Sequence, residues 1–272
     1  MGTVARMDRL ERVGALRLRP LEDCGALLEQ PEQLRLRAAR DGFVYLGRLV
    51  PADLVRRLRH RVLEHAHRSG WLDPSAPVSE ARAQAGRRVG HYQDPDWIDL
   101  QVQVNQAPEM WALGMAAEIH RALCAADGRS PSLTLSTANG CRVISPHPEL
   151  ATPPHQDAHF VHYIEDFWTA WIPLEDCPLE LGPIALLAGS HLGGLAPHAA
   201  GTIGERCTGV PDDAVWSTTN FQCGDVVLFR PHTLHCSLEN RSGDRLRLSA
   251  DFRYGFWNGT AAVDWRAAAV ER

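Results

Sequence analysis

His155 and Asp157, in the run Pro153-Pro154-His155-Gln156-Asp157-Ala158-His159-Phe160, are two groups that could hold a metal. In an extended chain, residues i and i+2 point to one face. The pair would then deliver an imidazole nitrogen and a carboxylate oxygen side by side. That is two-thirds of the 2-His-1-carboxylate set that suits non-haem iron(II). A three-residue pattern arises easily by chance, so the reading needs a third ligand from elsewhere. Asp225-Val-Val-Leu-Phe-Arg-Pro-His232-Thr-Leu-His235-Cys-Ser237 offers two, His232 and His235, at the end of an apolar run. Strand parity favours His235, because Ser237 then shares its face. Beyond a turn at 240–244, Arg245-Leu-Arg247-Leu-Ser-Ala-Asp-Phe-Arg-Tyr254 returns as the neighbouring strand. A hydroxyl and a guanidinium beside the distal ligand make a clamp for a carboxylate, which arginine grips bidentately as lysine cannot.

Several elements must position these groups. Past Pro131, short apolar runs recur at 132–137, 141–145, 155–163, 167–174, 183–188, 225–230 and 246–254, parted by Gly, Pro and Asp. That spacing predicts an antiparallel sandwich or jelly roll. Before it, residues 1–30 show no strong period and read as a partly ordered leader. A helix is predicted over 31–40, stopped by Asp41-Gly42, then a strand over 43–50 and a helix from Pro51 to about 68 on the stripe Leu54, Leu58, Val62. Residues 69–90 form a long Gly/Pro/Ser-rich loop, a candidate lid or a flexible surface segment. Leu100-Gln-Val-Gln-Val-Asn105 alternates like a half-buried strand, and 108–124 reads as one helix. The expected organisation is a single domain over 1–272. Its parts are the leader, a helical and strand part over 31–130, a β core over 131–255 and a tail over 256–272.

Bulk properties exclude some functions. The 272 residues carry a formal charge of −5, with 44% hydrophobic and 22% charged residues, which is ordinary for a globular protein and argues against nucleic acid as the main partner. The seven cysteines form no regular spacing and read as reduced thiols. The first residues lack an apolar h-region, and there is no run of about 18 apolar residues. The expectation is a cytoplasmic protein, monomer or homodimer, with a small-molecule substrate and no membrane or nucleic-acid partner.

Over about 38–255 the chain resembles the phytanoyl-CoA dioxygenase-like Fe(II)/2-oxoglutarate oxygenases. The resemblance rests on Asp41-Gly-Phe-Val-Tyr-Leu, His155-Gln-Asp157, Thr169-Ala-Trp171-Ile-Pro-Leu-Glu-Asp176, Gly182 to Gly-Ser-His191, and His235-x-Ser237 with Arg247 twelve residues on. It implies a double-stranded β-helix, mainly β, with helical support at the N-terminal end. It implies iron on His155, Asp157 and His235, with O2 as oxidant. Arg247 and Ser237 would hold the far carboxylate of 2-oxoglutarate, and Trp171 would line its pocket. Arg245 shares the strand face of Arg247 and competes for the clamp, while Gln103 and Arg142 are further cosubstrate candidates. The lysine or methionine that relatives use near the cosubstrate is not evident. His159 and Phe160, with Arg87 and Tyr92 near the long loop, are substrate candidates. His232 reads as packing, His191 as a hairpin tie, and Cys236 as a small buried hydrophobe. Related halogenases carry a small residue at the Asp157 position, so Asp157 argues for hydroxylation or another oxidation. The alternatives are a non-catalytic binding protein on this fold and a cupin-type hydrolase or isomerase. No long basic patch marks a coenzyme A site, so the substrate reading leans to a free specialised metabolite over an acyl thioester.

Overall fold

The computed structural model describes residues 5–256, apart from 14, 91–94, 131, 134–138, 162, 163, 165, 202 and 203. Its strands begin with β1 (Glu11–Val13), β2 (Leu16–Pro20), β3 (Phe43–Leu46), β4 (Ser132–Leu133), β5 (Gly140–Ile144) and β6 (Phe167–Pro173). They continue with β7 (Ile184–Leu186), β8 (His198–Gly201), β9 (Gly204–Cys207), β10 (Val215–Thr218), β11 (Val226–Phe229), β12 (His235–Ser237) and β13 (Arg247–Gly255). The helices are α1 (Pro31–Asp41), α2 (Ala52–Arg68), α3 (Pro95–Asn105), α4 (Pro108–Gly114), α5 (Ala117–Asp127) and the single turn α6 (Asp157–Phe160).

A large sheet runs β3-β11-β6-β13-β4, with β5 also on β13, and a smaller one runs β1-β2-β10-β7-β12. Strand parity sorts the large sheet into two faces. Val44, Trp168, Ala170, Ile172, Leu228, Leu248, Ala250 and Phe252 point outward into one core with the buried stripes of α1 to α5. Phe43, Tyr45, Trp171, Val227 and Phe229 point inward and meet Ile184 and Leu186 of the smaller sheet. Hydrophobic material on both faces explains why these strands read as near-continuous apolar runs. The architecture is the expected jelly roll with helices packed on one outer face.

α1 begins with Pro31 and ends at Gly42, whose φ of 82° is the left-handed cap that glycine adopts without strain. A Cβ at Gly42 would also strike the ring of His191, whose Nε2 lies 3.0 Å from the Ala39 carbonyl. His191 thus ties its turn to α1 and not to its own hairpin.

Four expectations differ from the structure. The segment 11–20 is not a leader: β1 pairs with β2, and β2 runs parallel to β10. Residues 100–105 belong to helix α3, in which Leu100 and Val104 are buried and Val102 is exposed. The i, i+4 pair decides the conformation over the apparent alternation, and Gln101 exchanges two hydrogen bonds with the Cys141 backbone, sealing β5. The predicted helix 108–124 is two helices, because the Tyr254 hydroxyl donates to the Gly114 carbonyl at 2.7 Å where the first one ends. The loop 69–90 is built in: Trp71 and Val89 are fully buried, and Leu246 N–H donates to the Ala81 carbonyl at 2.9 Å. A segment so anchored cannot open as a lid without exposing core.

Candidate metal centre

β12 pairs with β7 so that His235 and Ser237 face inward beside Leu186 and Ile184, while Cys236 faces the opposite core with Ala185. Burial pushes the Cys236 thiol up to about 12, so it is an inert apolar group there. His155 lies opposite His235: each backbone N–H donates to the other's carbonyl, at 2.9 and 3.0 Å. This bridge brings the two rings together, centroids 4.1 Å apart and planes inclined by 53°. The extended conformation lasts only through Gln156, and Asp157 opens the turn α6. The strand expected over 155–163 is therefore absent among its described residues, yet Asp157 still turns toward the two imidazoles.

His155 Nδ1 lies 2.9 Å from the Pro153 carbonyl, and His235 Nδ1 lies 3.0 Å from the Thr233 carbonyl. A ring nitrogen facing a carbonyl must be the protonated one, so both Nε2 atoms carry lone pairs. Those Nε2 atoms stand 3.9 and 3.6 Å from Asp157 Oδ1. Asp157 Oδ2 is occupied elsewhere, accepting from Thr169 Oγ1 at 2.6 Å and Arg253 at 2.9 Å. Burial pushes His155 down to about 3 and His235 down as well, so both rings are neutral. Burial, the largest single influence, opposes ionisation of Asp157, but Arg253 together with the smaller effects of the two histidines and the Thr169 hydroxyl outweighs it and holds the carboxyl below the usual range. Three ligand atoms within 4.8 Å, two neutral and one anionic, fit a divalent cation of the iron class without any prior loss of protons.

Beside them, β13 turns a polar stripe inward: Arg247, Ser249, Asp251 and Arg253. Arg247 is buried, donates to Ser249 Oγ at 2.7 Å, and has a buried Nε with no partner. Among the described residues no carboxylate pairs with it, and burial lowers its pKa. Arg245 precedes the strand and is half-buried against Glu175 at 2.8 Å, so the shared face expected for the two arginines does not form. Ser237 Oγ accepts from Thr152 N–H at 2.7 Å, which leaves its hydrogen to donate. Trp171 packs edge-on against Phe221, centroids 4.9 Å apart, closing the apolar side of the interior.

The remaining candidates fall in different places. Gln103 lies on the exposed side of α3 with Arg68 and Asp99, away from the barrel, because α3 is a helix and not a strand. Arg142 faces inward on β5, opposite Ser249. His159 leaves the face of 155 and 157 when the strand ends; its ring stacks on His198 at 4.0 Å. Phe160 stands edge-on to His155, centroids 5.7 Å apart. Arg87 pairs with Asp96 at 2.8 Å, and Tyr92 lies outside the described residues. His232 presents its carbonyl to Gln156 at 2.6 Å.

Two residues of the site escaped sequence reasoning. Arg253 was legible, since it continues the even spacing from Arg247 along one face. Gln156 was not: its fully buried amide donates to the Gly194 and His232 carbonyls and accepts from Ala196 N–H, a clamp onto two distant segments.

The phytanoyl-CoA dioxygenase (PhyH) family matches residues 38–248. The chain belongs to this family. It is thus an enzyme of the Fe(II)- and 2-oxoglutarate-dependent oxygenase class, and it carries a His-Asp-His group that could hold a metal ion. The 1-deoxypentalenic acid 11-beta-hydroxylase of Streptomyces exfoliatus is 26% identical over 244 residues, covering 85% of this chain and 83% of that one. Among solved structures, the epimerase SnoN in complex with Fe3+, alpha ketoglutarate and nogalamycin RO superposes with a TM-score of 0.55 at 21% identity, covering 86% and 92% of the two chains. EvdO2 from Micromonospora carbonacea var. aurantiaca, complexed with 2-oxoglutarate, gives 0.52 at 18% identity over 82% and 89%. At those identities the structural likenesses establish the fold. Among the described residues no helix is long and apolar enough to cross a membrane.

Proposed function

We propose that this PhyH-family member hydroxylates an unactivated C–H of a small molecule, converting 2-oxoglutarate and O2 to succinate and CO2 as one oxygen enters the product. The observation that carries this reading is the meeting of His155, Asp157 and His235 beside a buried arginine that has no acidic partner among the described residues. Bound iron would supply O2 activation. Thr169 and Arg253 hold one carboxylate oxygen of Asp157 so that the other points at the metal. Arg247 and Ser237 grip the far carboxylate of 2-oxoglutarate. Trp171, Phe221, Val227 and Phe229 keep water from that side of the interior. Asp157 fills the position that a halide would need, and the relative named above is a hydroxylase of an acid; both favour oxygen insertion.

The test is anaerobic addition of Fe(II) and 2-oxoglutarate, followed by the weak visible charge-transfer band of the chelate. The band appears in the native protein and is lost in His155→Ala. Admission of isotopically heavy O2 with a turned-over substrate then gives one labelled oxygen in the product per succinate. A product without the label, as in epimerisation or cyclisation, refutes hydroxylation while leaving the cofactor assignment intact.

A further inference from the structure

We propose that Arg142 is the receptor for a carboxylate on the substrate, so that the enzyme acts on a small organic acid presented as its monoanion. The proposal rests on the reading of Arg247 as the 2-oxoglutarate clamp and extends it to the molecule held above the metal.

The register of β5 on β13 sets Arg142 directly across from Ser249, and cross-strand partners share a face. Arg142 thus belongs to the inward stripe that carries Arg247, Asp251 and Arg253. Unlike them it stands at the rim: its side chain is 43% exposed, against 5% for that of Arg253. Only one edge of its guanidinium is engaged, with Nε donating to Asp251 at 2.9 Å. Among the described residues no hydrogen bond reaches its two terminal nitrogens, the pair that forms a fork onto a carboxylate. Beneath it, 5.7 Å away, lies the ring of Trp97, whose indole N–H is buried and also lacks an acceptor.

The charge inventory points the same way. Among the described residues, three guanidiniums line the inward stripe of β5 and β13 (Arg142, Arg247 and Arg253), against the carboxylates of Asp157 and Asp251. Both histidines are neutral. Iron(II) adds two positive charges and 2-oxoglutarate removes two, so the cluster keeps one net positive charge. Asp157 pairs with Arg253 and Asp251 with one edge of Arg142, so the surplus belongs to the cluster as a whole, and within it Arg142 is the member whose fork is free at the rim. A carboxylate there completes the neutrality of the site. The Trp97 face offers apolar contact for the hydrocarbon attached to it.

The test uses protein loaded anaerobically with Fe(II) and 2-oxoglutarate. Cyclohexane-, adamantane- and naphthalenecarboxylate are compared with their methyl esters by ligand-observed NMR and by perturbation of the chelate band. At least one acid binds saturably, and its ester binds about ten- to a hundredfold more weakly. Arg142→Gln removes that preference, whereas Arg142→Lys keeps part of it, and the 2-oxoglutarate dissociation constant moves less than about threefold in both. Equal binding of acid and ester, or no binding by any acid, overturns the proposal; this comparison needs no variant, so misfolding of Arg142→Gln cannot shelter it. A rise in the 2-oxoglutarate requirement as large as that of Arg247→Met moves Arg142 to the cosubstrate and equally overturns it. Absence of the chelate band in the native protein defeats the iron and 2-oxoglutarate reading and this one with it, whereas a normal band with acid and ester alike defeats this one alone.

Discussion

Arg247→Met should move stability and cosubstrate binding in opposite directions. In the protein alone the guanidinium is buried with one hydroxyl partner and an unpartnered Nε, and burial already draws its pKa down. An unsatisfied buried polar group costs about 1–3 kcal/mol, and replacing buried charge with apolar volume is often stabilising. Methionine has nearly the same reach and fills irregular space, so the free protein should gain about 1–2 kcal/mol once the lost bond to Ser249 is allowed for. At 272 residues that is a rise in Tm of about 2–4 °C per kcal/mol. Binding should suffer instead. Removing one partner of a buried charge pair costs about 3–5 kcal/mol, which weakens 2-oxoglutarate about a hundred- to several-thousandfold. Arg245→Met is the contrast: it strips Glu175 of one of its two arginines, lowers stability, and leaves 2-oxoglutarate binding unchanged. Thermal melts of the free proteins and anaerobic titrations of the chelate band read both quantities. A free Arg247→Met protein that is less stable than the native one and binds 2-oxoglutarate normally would refute the clamp and the physical argument behind it.

Three further outcomes are expected. Thr169→Val keeps the side-chain shape but removes a donor from Asp157 Oδ2, so Co(II) affinity, followed by its d–d absorption, falls about 10- to 100-fold with the fold retained; unchanged affinity would show that Arg253 alone suffices. Gln156→Leu removes the partner of three part-buried backbone groups, lowering stability by about 1–3 kcal/mol in urea titrations; no measurable loss would mean that water or other partners replace the amide. Asp127→Asn tests an acid-labile contact. Burial would raise this carboxyl, but hydrogen bonds from Arg129 and Trp168 and the charge of Arg230 hold it below its usual range. A depressed folded-state pKa gives stability that is fully present above the unfolded value of about 3.9 and is lost as the pH falls through the folded value. The variant is therefore less stable at neutral pH, and its stability declines less steeply below about pH 4. Parallel acid limbs in urea midpoints would remove Asp127 from the cause.

Where the sequence was legible, the reason was local. His155, Asp157 and His235 could be picked out because a ligand set needs particular atoms, and because a bridge or strand of a few residues imposes its own parity. β6 and β11 were found because strands with apolar side chains on both faces read as nearly unbroken apolar runs, and β13 because its apolar and polar residues alternate with the period of a strand. α1 declared itself through Pro31 and Gly42. The failures came where two distant segments settle a conformation. Leu100-Gln-Val-Gln-Val-Asn105 satisfies either period, and only the packing of Leu100 and Val104 on β5 and α2 selects the helix. Val13 and Leu18 are too few to announce strands until β10 supplies the edge for β2, on which β1 then pairs.

The iron site divides in the same way. Residue type and short-range spacing by themselves determined which three side chains could bind metal and which strand would bring an arginine beside them. They could not choose between Arg245 and Arg247, assign an oxygen of Asp157 to Arg253, or reveal the Gln156 clamp. Those outcomes depend on which buried charge finds a counter-charge, and that is decided only when Glu175, Asp251 and the inward face of β13 are folded against one another. Burial makes an unpaired guanidinium costly in Arg247 and a paired one ordinary in Arg245, and burial is a property of the tertiary structure.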